Sequence, residues 1–192
     1  MAVTAARTGA RNWSQPSAPN QVLLGKLVDE RHVPAGGHIG HLLGIQAAAN
    51  VFELTYTQEV GGHPIALSQM YLRPQASRKL AEACAGTGQL PALVEQGPDV
   101  PDQLASRYGI EVALSDAIVE LTQLNEFEAD LLGAALGSPA FLLSALDLDA
   151  TRSPLSFTRT VIRGDKFRLS LVLRPPEAEG GTRSHGLMAY MT

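Results

Sequence analysis

The sequence predicts an α+β fold in which an antiparallel sheet of about six strands carries helices on one face. Two observations predict it. The first is an internal echo: the stretch Leu42 to Pro74 is built like the stretch Leu136 to Lys166. Each copy runs from a glycine-ended helix (Leu43-Gly44, Leu136-Gly137) into a strand, Val51 to Glu59 or Ala140 to Asp149. A turn and a proline (Pro64, Pro154) then lead into a second strand. The second is strict alternation, with Phe52, Leu54, Tyr56 and Gln58 on one face and Glu53, Thr55, Thr57 and Glu59 on the other. One hairpin is too small to bury a core, so two helix-plus-hairpin units share a sheet, and the cleft between them is the expected ligand site.

The elements follow in order. A first strand is expected over Val22 to Val28, and Pro34 opens a short helix that Gly44 ends. Gly61-Gly62 turns the chain into a strand from His63 to Arg73, because glycine accepts the positive φ of a tight hairpin. Ser77 to Cys84 reads as helix, Gly86 to Pro101 as a Gly- and Pro-rich connection, and Pro101 to Arg107 as a second short helix. A long strand covers Val112 to Leu124. Asn125 and Glu128 then have the spacing of a capping box, which starts a helix from Glu126 to Leu136. Strands at Ala140 to Asp149, Leu155 to Ile162 and Lys166 to Leu173 complete the domain. The domain spans 21–174, between a leader at 1–20 and a C-terminal tail at 175–192.

At 192 residues, with 45% hydrophobic and 18% charged residues, the chain can bury one real core. A net charge of -4 gives no electrostatic footprint for nucleic acid, so no direct DNA binding is expected. Cys84 is the single cysteine, which rules out an internal disulfide and suits a reducing cytoplasm. The thiol is expected to be buried. The apolar stretch Leu131 to Leu146 is interrupted by Gly133, Gly137 and Pro139 and is too short to span a membrane. Segment 1–28 carries Arg7, Arg11 and Lys26 and no acid, but it lacks the amphipathic pattern of a transit peptide.

Other candidate chemistry reads as structure. His38 and His41 lie three apart with His32 nearby, but the spacing identifies no full zinc ligand set, so no metal is expected. Asp147 and Asp149 flank a turn and are expected to face water. Arg163-Gly164-Asp165 sits at a hairpin turn, and Gly86-Thr87-Gly88 lacks the lysine of a phosphate loop. There is no nucleophile elbow, and no cofactor is expected.

A set of short motifs in fixed order points to a family. They are Leu43-Gly44, Gly62-His63-Pro64-Ile65-Ala66-Leu67, Tyr71-Leu72-Arg73-Pro74, Tyr108-Gly109-Ile110, Pro154-Leu155-Ser156 and Arg163-Gly164-Asp165-Lys166-Phe167-Arg168. The chain from Val22 to Leu173 resembles the UTRA domain, the effector-binding part of GntR/HutC-type regulators, which shares the chorismate lyase fold. The resemblance implies a small-molecule site and a homodimer. Regulators of this type carry a winged helix-turn-helix domain ahead of the effector domain. Only about twenty residues precede the first strand here, so a stand-alone domain without DNA-reading module is expected.

The resemblance also implies a changed pocket. Where members that sense phosphorylated sugars place two arginines, this chain has Tyr56 and Gln58; acid positions fall on Ser68 and Ser156, and an aromatic one on Ile162. A phosphate without a cationic fork loses charge-assisted bonds worth roughly 1.5 to 3 kcal/mol each. The expected lining of Tyr56, Gln58, Ser68, Met70, Ser156 and Ile162 therefore suits a neutral, largely apolar metabolite. In chorismate lyase, an Arg and a Glu occupy the places that fall on Gln69 and Arg159. The acid is missing, so lyase activity is not expected, and Arg159 is counted with the ligand-lining residues. Two functions follow. One is a binding protein that acts through a separate regulator. The other is a repurposed enzyme of secondary metabolism that folds an apolar intermediate for cyclisation or a pericyclic reaction, chemistry that orientation alone can promote.

Overall fold

The computed structural model describes residues 23–84, 109–172 and 186–191. Strands β1 (Leu23–Pro34), β2 (Asn50–Val60), β3 (His63–Leu72), β4 (Leu114–Gln123), β5 (Pro139–Leu148) and β6 (Pro154–Arg163) form one antiparallel sheet in the order β1-β2-β3-β6-β5-β4. Among the described residues the helices are α1 (Gly36–Leu43), α2 (Pro74–Cys84) and α3 (Glu126–Leu132). A 3-10 turn at Gly164–Lys166 leads into β7 (Phe167–Val172), which pairs with β8 (Gly186–Met191) in a separate ribbon. The segment read as a C-terminal tail thus contributes a strand. The expected leader, the connection from Gly86, the helix from Pro101 to Arg107, Tyr108 and the Cys84 thiol lie outside the described residues.

The sheet order is its own mirror image about the central pair β3 and β6. Each unit is a strand, a helix and a hairpin, one strand longer than the echo in the sequence. The two helix exits match bond for bond. Gly44 (φ 62°, ψ 39°) and Gly133 (φ 59°, ψ 41°) both cap in the left-handed region. The Ile45 amide donates to the Gly40 carbonyl at 2.9 Å, and the Ala134 amide to the Ala129 carbonyl at 3.0 Å. Further on, the Ala49 amide meets the Gln46 carbonyl at 2.9 Å, and the Ser138 amide meets the Ala135 carbonyl at 3.1 Å. Gly133, not Gly137, is therefore the counterpart of Gly44. The helix stops at Leu132 rather than Leu136 because the left-handed glycine turns the next amides back onto the last open carbonyls. Pro34, expected to open α1, instead closes β1.

The two units interlock because each helix crosses onto the other unit's central strand, α1 onto β6 and α3 onto β3. Leu43 and Ala35 pack with Val51 and Phe157, while Leu132 and Ala129 pack with Leu67, Val161 and Ala140. Each fully buried leucine contributes about 1.5 to 3 kcal/mol, so neither unit keeps its core without the other. The repeated pair shares one face, and α2 covers part of the other, where Ala76 and Ile110 close over Phe52, Leu54, Tyr56, Met70 and Leu72. Strand β2 is consequently buried on both sides, and Glu53, Thr55 and Thr57 are as enclosed as their apolar neighbours. Glu53 is satisfied by Arg31 Nε at 2.8 Å and by the Tyr71 hydroxyl at 3.2 Å.

Candidate functional site

Register decides which side chains meet, because residues paired directly across neighbouring strands project from the same face. Tyr56 pairs with Ser68, and Ser68 with Thr160; Gln58 pairs with Ala66, and Ala66 with Ile162. Met70 lies opposite Thr158, and Leu72 opposite Ser156. Tyr56, Gln58, Ser68, Met70, Ser156 and Ile162 thus share one face, the α2 face. They are tightly held there. Tyr56 and Met70 belong to the cluster under α2, Ile162 packs with Ile65 and Ala66, and the Ser68 and Thr160 hydroxyls bond at 2.9 Å.

Arg159 does not join them. Strand alternation turns it to the α1 and α3 face, where it pairs with Gln69 and Ser144, and its Nη2 lies 2.9 Å from Glu128 Oε1 on α3.

The α2 face holds a carboxylate that was expected in water. Asp147 is 3% exposed, pairs directly with Ser156, and accepts from Ser156 Oγ at 2.9 Å and from Ser115 Oγ. The turn belongs to Asp149 alone: its Oδ1 accepts from the Thr151 hydroxyl (2.7 Å), the Thr151 amide (2.8 Å) and the Ser153 amide (2.9 Å). These bonds, the Thr151 hydroxyl first, hold the Asp149 carboxyl below its ordinary pKa. A signal for Asp147 was present in the sequence, since it continues the alternation of Phe141, Leu143 and Ala145 on one side of β5. Thr158 was also missed; its Oγ1 is buried on this face with no hydrogen-bond partner.

The remaining motifs are structural. His32 packs on Phe52 (5.0 Å between ring centroids), whereas His38 meets Phe157 edge-on (6.1 Å), and these two phenylalanines lie on opposite faces of the sheet. Among the described residues no three His, Cys, Asp or Glu side chains gather as a metal site. Arg163 Nη1 donates to the Leu132 carbonyl at 3.0 Å, while Nε and Nη2 grip Asp165 at 3.0 and 2.9 Å, so the motif caps α3. Hollows of about 600 and 630 Å³ lie beside the matching helix exits at Gly44 and Gly133, and one of about 370 Å³ lies between α2 and the Asp149 turn. None of these three is lined by Tyr56, Gln58, Ser68, Met70, Ser156, Arg159 or Ile162, the residues expected from the sequence to line the ligand site. Among the described residues no helix is long and apolar enough to cross a membrane.

The sequence model of the UTRA domain matches residues 21–168, which include the whole six-stranded sheet. The chain belongs to the UTRA domain family. Such domains are the ligand-binding effector parts of GntR-type regulators. Among solved structures, PhnF from Mycobacterium smegmatis superposes with a TM-score of 0.65 at 22% identity, over 77% of this chain and 60% of that one. The effector domain of PhnF gives 0.64 at 22%, covering 77% of this chain and 84% of that chain. A GntR-family transcriptional regulator from Enterococcus faecalis gives 0.60 at 11%, over 73% and 94%. At these identities the superpositions establish fold. This UTRA domain spans about 60% of the whole PhnF chain.

Proposed function

We propose that this UTRA domain binds a small, largely apolar metabolite without a phosphate group on the α2 face of its sheet. One observation carries the reading: on β2 to β6 no lysine or arginine stands on that face, among the described residues. Tyr56 and Gln58 occupy the places where the resemblance expects the anion-binding arginines, and they point the same way as Ser68, Met70, Ser156 and Ile162. A dianion held there would lose its water without gaining a cationic partner. Neutral hydroxyls and aliphatic surface favour instead a ligand with few polar groups. Action in the cytoplasm as a homodimer that reports to a separate regulator belongs to the same reading.

Mass spectrometry of the purified protein under native conditions should reveal a co-purifying apolar compound that rebinds after removal and leaves unchanged on incubation. Release of a product of altered mass or isomer pattern would replace binding with catalysis, the cyclase alternative. Glucose 6-phosphate binding as tightly as the co-purifying compound would overturn the reading. The half-buried Gln58 offers a gain-of-function arm, in which Gln58→Arg should raise affinity for the sugar phosphate.

A further inference from the structure

The hollow of about 370 Å³ between α2 and the Asp149 turn carries both signs of charge around an apolar floor. Ala76 and Ile110 form that floor and are buried, and the half-buried Leu155 packs against them. Lys79 lines the hollow from α2, while Glu111 and Asp149 line it from outside the helix. These opposite charges do not close on one another. Among the described residues Lys79 Nζ reaches the Gly109 carbonyl alone, at 3.4 Å, and neither Glu111 nor Asp149 has a cation within ion-pair distance. Asp149 Oδ1 takes all three bonds of the turn, so Oδ2 keeps its lone pairs. Those bonds, the Thr151 hydroxyl first, hold the carboxyl below its ordinary pKa, and the charge of Arg73 adds to the effect. The acid is therefore ionised at neutral pH.

We propose that this hollow is a second site, for an aliphatic α-amino acid, with the ligand carboxylate on Lys79, its ammonium on Asp149 and Glu111, and its side chain over Ala76, Ile110 and Leu155. A ligand of both charges completes both sides of the hollow at once. A simple carboxylate would meet two acids as like charges, and a simple amine would leave Lys79 without an anion and meet it as a like charge. The volume lies within the range of small-molecule sites, and the floor gives an aliphatic side chain apolar surface to cover. The site is separate from the ligand proposed above. Leu155 stands at the start of β6, whereas Ile162, in register with Ala66 and so with Gln58, stands near its end.

The test titrates the full chain by calorimetry with leucine, isoamylamine and isocaproate, the last two lacking the carboxylate and the ammonium in turn. Leucine should bind at least about tenfold more tightly than either. Lys79→Met should close the gap between leucine and isoamylamine. Asp149→Asn, which keeps the acceptor oxygen of the turn, combined with Glu111→Gln should close the gap between leucine and isocaproate. Ala150→Trp fills the hollow from an exposed position without removing a charge and should abolish leucine binding. It keeps the question decidable if the double variant misfolds. Arg78→Met removes an exposed cation of α2 that does not line the hollow and should change nothing. Absence of leucine binding, equal affinity for leucine and either half-ligand, an unchanged gap in a folded charge variant, or leucine binding that survives Ala150→Trp would overturn the proposal.

Discussion

Arg159 and Glu128 meet 2.9 Å apart where β6 passes beneath α3, and the contact fixes α3 to the centre of the sheet. The other Glu128 oxygen accepts the Asn125 amide at 3.0 Å, while Asn125 Oδ1 accepts the Glu128 amide at 2.9 Å. One carboxylate, 3% exposed at its side chain, therefore closes both the capping box and the link to the sheet.

Replacing Arg159 with methionine should lower stability by about 1 to 3 kcal/mol, because it strips a partner from an enclosed carboxylate. The partial exposure of the guanidinium, 32%, keeps the effect toward the lower end. Urea denaturation measures the loss. Ligand affinity should be unchanged in the folded variant, since Arg159 faces away from the α2 side.

The matching helix exits should respond alike. Gly44→Ala and Gly133→Ala each force a side chain into the left-handed region, and each should cost about 1 to 2 kcal/mol. The two midpoints in thermal unfolding should fall by similar amounts. A large difference would show that the units are not energetically equivalent.

Gly164→Ala should be worse than either cap variant. An added Cβ would sit 2.7 Å from the Pro139 carbonyl oxygen, a backbone atom that cannot rotate aside. Separating β5 from the turn after β6 should cost at least about 1 to 3 kcal/mol, read by chemical denaturation.

Alkaline stability should depend on Tyr71. Burial first, then the charge and hydrogen-bond acceptance of Glu53, push its phenol above the ordinary value. A group raised on folding keeps its proton more firmly in the native state. Its contribution is thus complete below the unfolded value of about 10 and is lost as pH rises through the folded one. Tyr71→Phe should flatten the fall in stability above that point, measured by urea midpoints across a pH series.

Much of this was legible locally. The capping box of Asn125 and Glu128 and the glycine turn at Gly61 and Gly62 need only neighbouring residues, and both stand as expected. Alternation also implies that Arg159, odd where Ser156 and Ile162 are even along β6, must face the other way, and that Asp147 continues the line of Ala145 and Leu143. Gly137 resembled Gly44 because both follow leucine. Only the amide of Ala134 returning to Ala129 shows that the helix had already ended.

The sequence by itself determined most of the sheet strands, their alternation, the Gly44 exit and the Asn125 capping box, because backbone propensity and turn chemistry act over a few residues. The tertiary structure alone decided what each face meets. Which side of β2 is dry, and why Glu53 and Asp147 are buried, depends on strands and helices brought from distant parts of the chain. The α1 and α3 helices cross to each other's unit, α2 closes the other face over the first unit, and Asp147 is enclosed beside Ser156 where β5 pairs with β6.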